Sequence, residues 1–374
     1  VTAPPSPAFL PAWMYRSAAL AALERRAWAP RFWHPITAAS ALAEGHAQAF
    51  VLLGLPLLLS RTAAGPQAFL NRCPHRAVPL LEPQSEPRAC RRLVCPYHGW
   101  TYNLDGQLQA AAREGQFELP FSRADWPLER LACRELAGLL WVAIGAEPLP
   151  LEQQLDLVLA EAGPLLQQPR RLLARERLEL RCNWKLAHDN TLDDYHVAIA
   201  HPTTLHREQG PVRHYRHAFS RHGTLLATPW PGGGEFLTFG LAPWTHLLLW
   251  PDGRLALIAF PPIDPGRCAL EVWLLAPPAW RQPAEAWLAE LLGFLEEDRK
   301  LVEAAQVGYG NPEPFVAACF APVGSGAEFV PGPPHRLERR ILQQQQLYRQ
   351  VLGAALEALS PPEPPGAARS PSPG

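Results

Sequence analysis

This sequence predicts an α+β fold, in which a small antiparallel β domain precedes a larger domain with an antiparallel sheet flanked by helices. Three observations carry that expectation. From about Pro30 to Ile144, short apolar runs are separated by turn residues, the pattern of short paired strands. Residues 223–277 again alternate strand-like runs with turns. Around that second block lie helical stretches, the longest being Pro283-Gln306 and Arg336-Leu359.

Each element follows from its text. Residues 12–28 are rich in Ala, Leu and Arg and read as a leading helix; with the Pro-rich start they form an expected flexible segment, 1–29. The β domain is expected over 30–147. Its strands are Ala49-Leu53, Leu57-Ser60, Ala68-Asn71 and Leu139-Ile144, with turns at Gly54, Ala64-Gly65-Pro66 and Asp105-Gly106. Pro148 and Pro150 mark the boundary to a second domain, 148–360. There Leu151-Ala160 reads as helix, and Leu172-Leu180 follows with apolar and charged residues alternating near its end. A helical stretch runs around Asn183-Ala200, and Trp250-Pro251-Asp252-Gly253 is a hairpin loop. Of 43 prolines, many cluster in Ala3-Pro4-Pro5-Ser6-Pro7 and after Pro361, so residues 361–374 are expected to be a disordered tail.

Composition narrows the function classes. The 374 residues, 48% hydrophobic and 18% charged, suffice for one large domain or two ordinary ones. A net charge of −1 gives no electrostatic reason to expect nucleic acid or an anionic membrane as partner. The longest apolar run, Phe50-Leu59, is broken by Gly54 and Pro56; it is too short to span a bilayer and reads as two strands around a turn. No basic stretch followed by an apolar one opens the sequence, so no signal peptide is expected and a cytoplasmic protein is the default.

Two constellations carry chemistry. Cys73-Pro74-His75 is followed, after a 19-residue gap, by Cys95-Pro96-Tyr97-His98-Gly99-Trp100. Two thiolates and two imidazoles could bind zinc. They could equally hold a 2Fe-2S cluster, with the thiolates on one iron and the imidazoles on the other. The remaining cysteines, Cys90, Cys133, Cys182, Cys268 and Cys319, are scattered and read as buried free thiols. The second constellation is residues 183–202, where His196 and His201 stand five apart. On an ideal helix that spacing separates them by roughly 140°. Pro202 disfavours helical geometry at His201, so the helix should end or loosen there and let the rings converge. Two histidines and one carboxylate on one face of an iron would leave positions open for oxygen and substrate. Asp298, beside Glu296 and Glu297 on the long helix, can supply the carboxylate.

Both constellations resemble one family. Asn71-Arg72-Cys73-Pro74-His75-Arg76-Ala77 and Cys95-Pro96-Tyr97-His98-Gly99-Trp100-Thr101-Tyr102 closely resemble the two cluster loops of Rieske proteins. Ala77 departs from the Gly of many members, and the gap is slightly longer than most, which a surface loop at Pro83-Pro87 could absorb. The segment from Asn183-Trp184-Lys185 through Tyr195-His196 to His201-Pro202 resembles the catalytic domain of Rieske non-haem iron oxygenase α subunits. The likeness covers roughly residues 30–310.

The resemblance implies a 2Fe-2S cluster on Cys73, His75, Cys95 and His98, and a mononuclear Fe(2+) on His196, His201 and Asp298. It implies an oxygenase, mono- or di-, that hydroxylates or oxidatively demethylates a small organic substrate. Asp193, with Asp194 as rival, would bond His196 and, across a head-to-tail contact, His98 of the next subunit, as in a homotrimer. Asn190 would stand behind the iron ligands, while Asn183, Trp184 and Lys185 set the fold of the segment. His188, His206, His214, His217 and His222 read as surface or hydrogen-bonded core residues. The sequence contains neither a plant-type ferredoxin cysteine run nor a Gly-rich dinucleotide turn, so a separate NAD(P)H-dependent reductase, with or without a ferredoxin, is expected to feed it. A pocket from residues 223–294, holding Phe236, Phe239, Trp244, His246, Trp250, Phe260 and Phe294, would suit an aromatic ring or a quaternary ammonium group. The motif spacing leans toward the choline-, betaine- and carnitine-type monooxygenases. The alternatives are a Rieske electron carrier whose second domain only binds a ligand, and a zinc-stabilised binding module.

Overall fold

The computed structural model describes residues 9–83, 86–310 and 331–359. Ala3-Pro7, the 361–374 tail, Cys319 and part of the Pro83-Pro87 loop lie outside the described residues. The α+β expectation holds, with antiparallel pairing throughout.

The first sheet contains β1 (Trp33–Ala38), β2 (His46–Leu52), β3 (Leu55–Thr62), β4 (Gly65–Leu70), β5 (Arg88–Ala89), β9 (Arg130–Leu136) and β10 (Leu139–Ala143), in the order β1-β10-β9-β4-β3-β2-β5. A separate three-stranded sheet is made by β6 (Leu93–Val94), β7 (Thr101–Tyr102) and β8 (Leu108–Ala110). Successive residues of a strand face opposite ways, and β3 uses both faces. Leu58 enters a core with Phe69, Cys73, Cys95 and Trp100, while Leu57 and Leu59 enter another with Phe50 and Leu140. The run Leu57-Leu59 is therefore apolar without alternation because water touches neither side.

The second sheet is formed by β11 (Arg171–Leu180), β12 (Arg216–Phe219), β13 (Gly223–Pro229), β14 (Glu235–Leu241), β15 (Thr245–Leu249), β16 (Leu255–Ala259), β17 (Pro262–Asp264) and β18 (Arg267–Ala276). Its order is β11-β18-β16-β15-β14-β13-β12, with β17 paired to β18. The Trp250-Gly253 loop closes the β15–β16 hairpin, with Leu249 opposite Leu255 and Gly253 at φ +87°. The helices are α1 (Ala18–Leu23), α2 (Leu151–Gln154), α3 (Asp156–Leu166), α4 (Trp184–Leu192), α5 (Val197–Ala200), α6 (Leu205–Gln209), α7 (Ala284–Gly310) and α8 (Arg339–Glu357). No described helix is long and apolar enough to cross a membrane.

Two helical expectations need correction. Residues 12–28 form a 3-10 turn at Ala12–Tyr15, then α1, then a π turn at Glu24–Trp28, because Ser17 starts a new helix by accepting from the Leu20 N–H. These residues pack into the core of the second sheet, where Trp28 stacks on Trp184. The Asn183-Ala200 stretch is likewise broken. Asp193 leaves helical geometry at φ −85° and ψ 103°, and its carboxylate accepts from the N–H groups of Tyr195 (2.7 Å) and His196 (3.4 Å). Such a side chain offers the backbone a turn in place of the helical ladder.

Candidate metal centres

The two Cys-His loops are built alike. In the first, the Ala77 N–H donates to the Cys73 carbonyl (2.8 Å) and the Cys73 N–H to Val78 (3.0 Å). In the second, the Gly99 N–H donates to Cys95 (3.0 Å) and the Cys95 N–H to Trp100 (2.8 Å). Each turn ends in left-handed backbone, at Ala77 (φ 61°) and Gly99 (φ 69°). That conformation explains the glycine common at the first position and makes Ala77 a tolerated strain of about 1–2 kcal/mol. Buried Asn71 clamps the first loop, accepting from the Leu80 and Leu81 N–H groups and donating to the Leu81 carbonyl (2.8 Å).

The sulfurs of Cys73 and Cys95 are buried, and Tyr102 OH lies 3.5 Å from the Cys73 sulfur. The His75 and His98 rings stand 4.6 Å apart between centroids, with His75 stacked on Trp100 at 4.9 Å. His98 and Tyr97 are exposed at the tip. Buried thiols on the inside and a pair of neighbouring imidazoles on the outside fit a cluster held with sulfur ligands inward and nitrogen ligands outward. The buried Nδ1 of His75 has no protein partner, as a ligating nitrogen requires.

The second centre draws its donors from distant elements. His196 immediately precedes α5 and His201 immediately follows it, so the rings flank a single helical turn. Asp298 projects from α7. Its Oδ1 lies 2.9 Å from His201 Nε2 and 3.3 Å from His196 Nε2, and the two Nε2 atoms are 3.2 Å apart. Ligands about 2.1 Å from one ion at right angles sit roughly 3.0 Å from each other, so the triad has the spacing of one coordination sphere. Among the described residues, these three are the group of histidine, cysteine and carboxylate donors that converges in this way.

A carboxylate stands behind each ring. His201 Nδ1 is 2.6 Å from Glu297, which also accepts from the Thr204 hydroxyl (2.8 Å). His196 Nδ1 is 3.5 Å from Asp193, an ion-pair distance too long for a good hydrogen bond. The Glu297 contact places the His201 proton on Nδ1 and turns its Nε2 lone pair inward. Asn190 donates to Asp298 Oδ1 at 2.7 Å. Burial opposes charge on His196, yet Asp193 and Asp298 raise its pKa to about 10. Burial likewise opposes ionisation of Asp298, but the two histidines hold it below the usual carboxylate range. The carboxylates around the rings make the site favour positive charge, and a metal ion held by His196, His201 and Asp298 would take the place of that proton.

The Asn-Trp-Lys sequence positions α4. Asn183 caps it, accepting from the Lys185 N–H (3.0 Å), and donates to Pro265 (2.7 Å). Lys185 and the Trp184 indole both bond buried Glu24, at 2.6 and 2.9 Å, as does Tyr348 at 2.5 Å. At the far end of the helix, Gly240 lets Leu192 approach the sheet, since a Cβ there would lie 2.2 Å from the leucine side chain.

Several sequence expectations resolve here. Glu296 faces solvent, paired with Arg299, so only Asp298 of the three acidic neighbours enters the triad. Buried Asp194 points elsewhere, to Arg340 (2.9 Å) and His217 (2.8 Å). The cavity of about 30 Å³ beside the triad is lined by Thr238, Leu248, Ile258, Phe294 and Arg340. Of the seven residues expected around a pocket, Phe294 alone lines it. Phe236, Phe239, Trp244, Trp250 and Phe260 belong to the core, and His246 is buried against His188. Alternation explains this, because aromatics at every position of a hairpin cannot all face one side of the sheet. Cys182 and Cys268 are buried free thiols 4.0 Å apart, whereas Cys90 and Cys133 are only partly buried. The sequence carries no signal for Arg340, and for Glu297 only its place next to Asp298.

Comparison with known proteins matches residues 32–121 to the Rieske [2Fe-2S] domain and residues 170–354 to the catalytic domain of the ring-hydroxylating alpha subunit. The carnitine monooxygenase oxygenase subunit of Acinetobacter pittii is 33% identical over 162 residues, 42% of each chain. The terminal oxygenase component of carbazole 1,9a-dioxygenase from a Sphingomonas species is 32% identical over 170 residues, 45% of this chain and 42% of that one. These alignments thus span less than half of each relative. A crystal structure of a quaternary ammonium Rieske monooxygenase superposes with a TM-score of 0.78 at 23% identity, covering 92% of this chain and 95% of that one, which shows a common fold.

Proposed function

This chain belongs to the Rieske non-haem iron oxygenase catalytic subunits, and we propose that it activates oxygen to hydroxylate or oxidatively demethylate a small organic substrate. The observation that carries the proposal is the convergence of His196, His201 and Asp298 in a chain that also holds the paired Cys-His loops. A pure electron carrier has no use for that triad. When bound, the cluster supplies single electrons and the iron supplies the place where oxygen is reduced.

The roles proposed for the side chains follow from their surroundings. Cys73, His75, Cys95 and His98 hold the cluster within a domain spanning 30–147. His196, His201 and Asp298 hold the iron within 148–360. Glu297 fixes the His201 tautomer, Asp193 supplies negative charge behind His196, and Asn190 fixes the Asp298 carboxylate. Phe294, Leu248 and Ile258 exclude water from the cavity beside the triad. Asp193 would also link His196 to His98 of a neighbouring subunit in a head-to-tail trimer. Exposed Tyr97 and Val94 beside the cluster loops, and Tyr195 and Ile199 beside the iron ligands, are apolar surfaces suited to that contact. A separate reductase would supply electrons, in the cytoplasm.

For the substrate we favour a small quaternary ammonium compound, in keeping with the motif spacing and with the names of the relatives. Metal analysis tests the class. The oxygenase should carry two cluster irons with two acid-labile sulfides, plus one further iron; an electron carrier lacks the further iron, and a zinc module lacks iron and sulfide altogether. Oxygen uptake and formaldehyde release, measured with a reductase and either carnitine or glycine betaine, test the substrate. Uptake without formaldehyde would reject demethylation of these compounds.

A further inference from the structure

A second cavity, of about 290 Å³, lies between the two sheets. The iron-side cavity is lined by Ile258, whereas its strand neighbour Leu257 lines this one, so one sheet separates the two. The walls come from both domains: His34 and Phe50 from β1 and β2, Arg175 and Arg177 from β11, Thr245 from β15 and Trp273 from β18.

Its polar groups are unevenly satisfied. His34 is 1% exposed and donates through Nε2 to the Ala29 carbonyl at 2.9 Å, which leaves Nδ1 a bare acceptor without a protein partner. The Thr245 hydroxyl, on a residue also 1% exposed, has no partner either. Buried polar atoms in this state carry a desolvation cost that a ligand could offset. At the opposite, more open end, Arg175 and Arg177 share the single carboxylate of Glu271. Arg25 lines the same space and donates to the Ile263 carbonyl at 2.8 Å. Three guanidinium groups and one carboxylate thus line the cavity, and its apolar lining includes Phe50, Leu257 and Trp273.

We propose that this cavity is a second small-molecule site, distinct from the iron centre, that takes a small organic acid bearing a hydroxyl or N–H at the end away from its carboxylate. The carboxylate meets Arg175 and Arg177, which bind such groups in forked geometry. The far donor bonds His34 Nδ1 and the Thr245 hydroxyl. The ligand thereby clasps strands of both domains, which makes it a candidate effector of how they pack.

The test is titration calorimetry of the intact, metal-loaded protein with 4-hydroxybenzoate, against benzoate, which lacks the hydroxyl, and 4-methylphenol, which lacks the carboxylate. 4-Hydroxybenzoate should bind tightest, and each missing group should cost about tenfold in affinity. Thr245→Val and Arg175→Gln should each weaken binding by about tenfold, whereas His196→Ala, in the iron centre, should leave it unchanged. Thr245→Val removes an unpartnered buried hydroxyl, so it should not lower the melting temperature and keeps the test available if the arginine variant fails to fold. Absence of millimolar binding by 4-hydroxybenzoate, or binding insensitive to Thr245→Val and abolished by His196→Ala, overturns the proposal.

Discussion

The two metal centres are assembled by opposite means. The cluster's proposed ligands all fall between residues 73 and 98, on two turns with the same hydrogen bonds, and one histidine reaches the surface. The iron's proposed ligands come from residues 196, 201 and 298, and His201 is fully buried. Their geometry depends on α4 being tied to Glu24, on the turn at Asp193 and on the face that α7 presents. A site built from local turns can form as soon as those turns form. One built from distant elements exists only once the core has packed, and burial then makes each unsatisfied group around it costly.

If the centres are separable in this way, the largest effects should dissociate completely. His196→Ala should remove the mononuclear iron and product formation while keeping the coloured cluster. Cys95→Ser or His98→Cys should abolish the Rieske-type EPR signal of the reduced protein and leave the single iron in place. Product-coupled oxygen uptake in the first variant, or an unchanged EPR signal in a folded second variant, would break the assignment.

Asp193→Asn probes the proposed link between the centres. Both metals should load and a reductase should still reduce the cluster, but turnover should fall by about two orders of magnitude or more. Single-turnover stopped-flow should show slow cluster reoxidation with oxygen and substrate present. Reoxidation at the wild-type rate, or full activity in a strict monomer, would remove Asp193 from the electron path and spare the iron ligands.

Glu297→Gln sharpens the comparison within the iron centre. It keeps the side-chain shape but weakens the acceptor at His201 Nδ1, so iron affinity should drop by roughly 10–100-fold with the cluster untouched. Equal loss of both metals in a chelator titration would point to general destabilisation.

The smallest effects test the likeness of the two cluster turns. Gly99→Ala places a Cβ in open space but in left-handed backbone, and should destabilise by about 1 kcal/mol. Ala77→Gly should recover a stability of the same order, reduced by the greater freedom of glycine in the unfolded chain. Chemical denaturation of the two variants reads both; shifts of like sign would mean that the turns are not equivalent.

What the sequence determined by itself is what its local chemistry dictates: the α+β class, the paired Cys-His loops and the helix that ends before Pro202 beside two histidines five residues apart. Loop ligands are legible because turn geometry and ligand spacing occupy the same few residues. Only the tertiary structure decided that Asp298 meets both Nε2 atoms while Glu297 backs the other nitrogen of His201 and Glu296 turns to solvent, since neighbours on a helix differ by roughly 100° and packing selects the face. It also decided that Asp193 reaches His196 through a turn, not along one helical face, and that Asp194 goes to Arg340 instead. Of the expected aromatics, Phe294 alone lines the iron-side cavity, because strand pairing and the helices laid across the sheet determine which side of each residue meets space and which meets core. The cavity between His34, Thr245 and Arg175 was illegible for the same reason. Its walls lie far apart in the chain, and neither the spacing nor the composition of any one segment records that they meet.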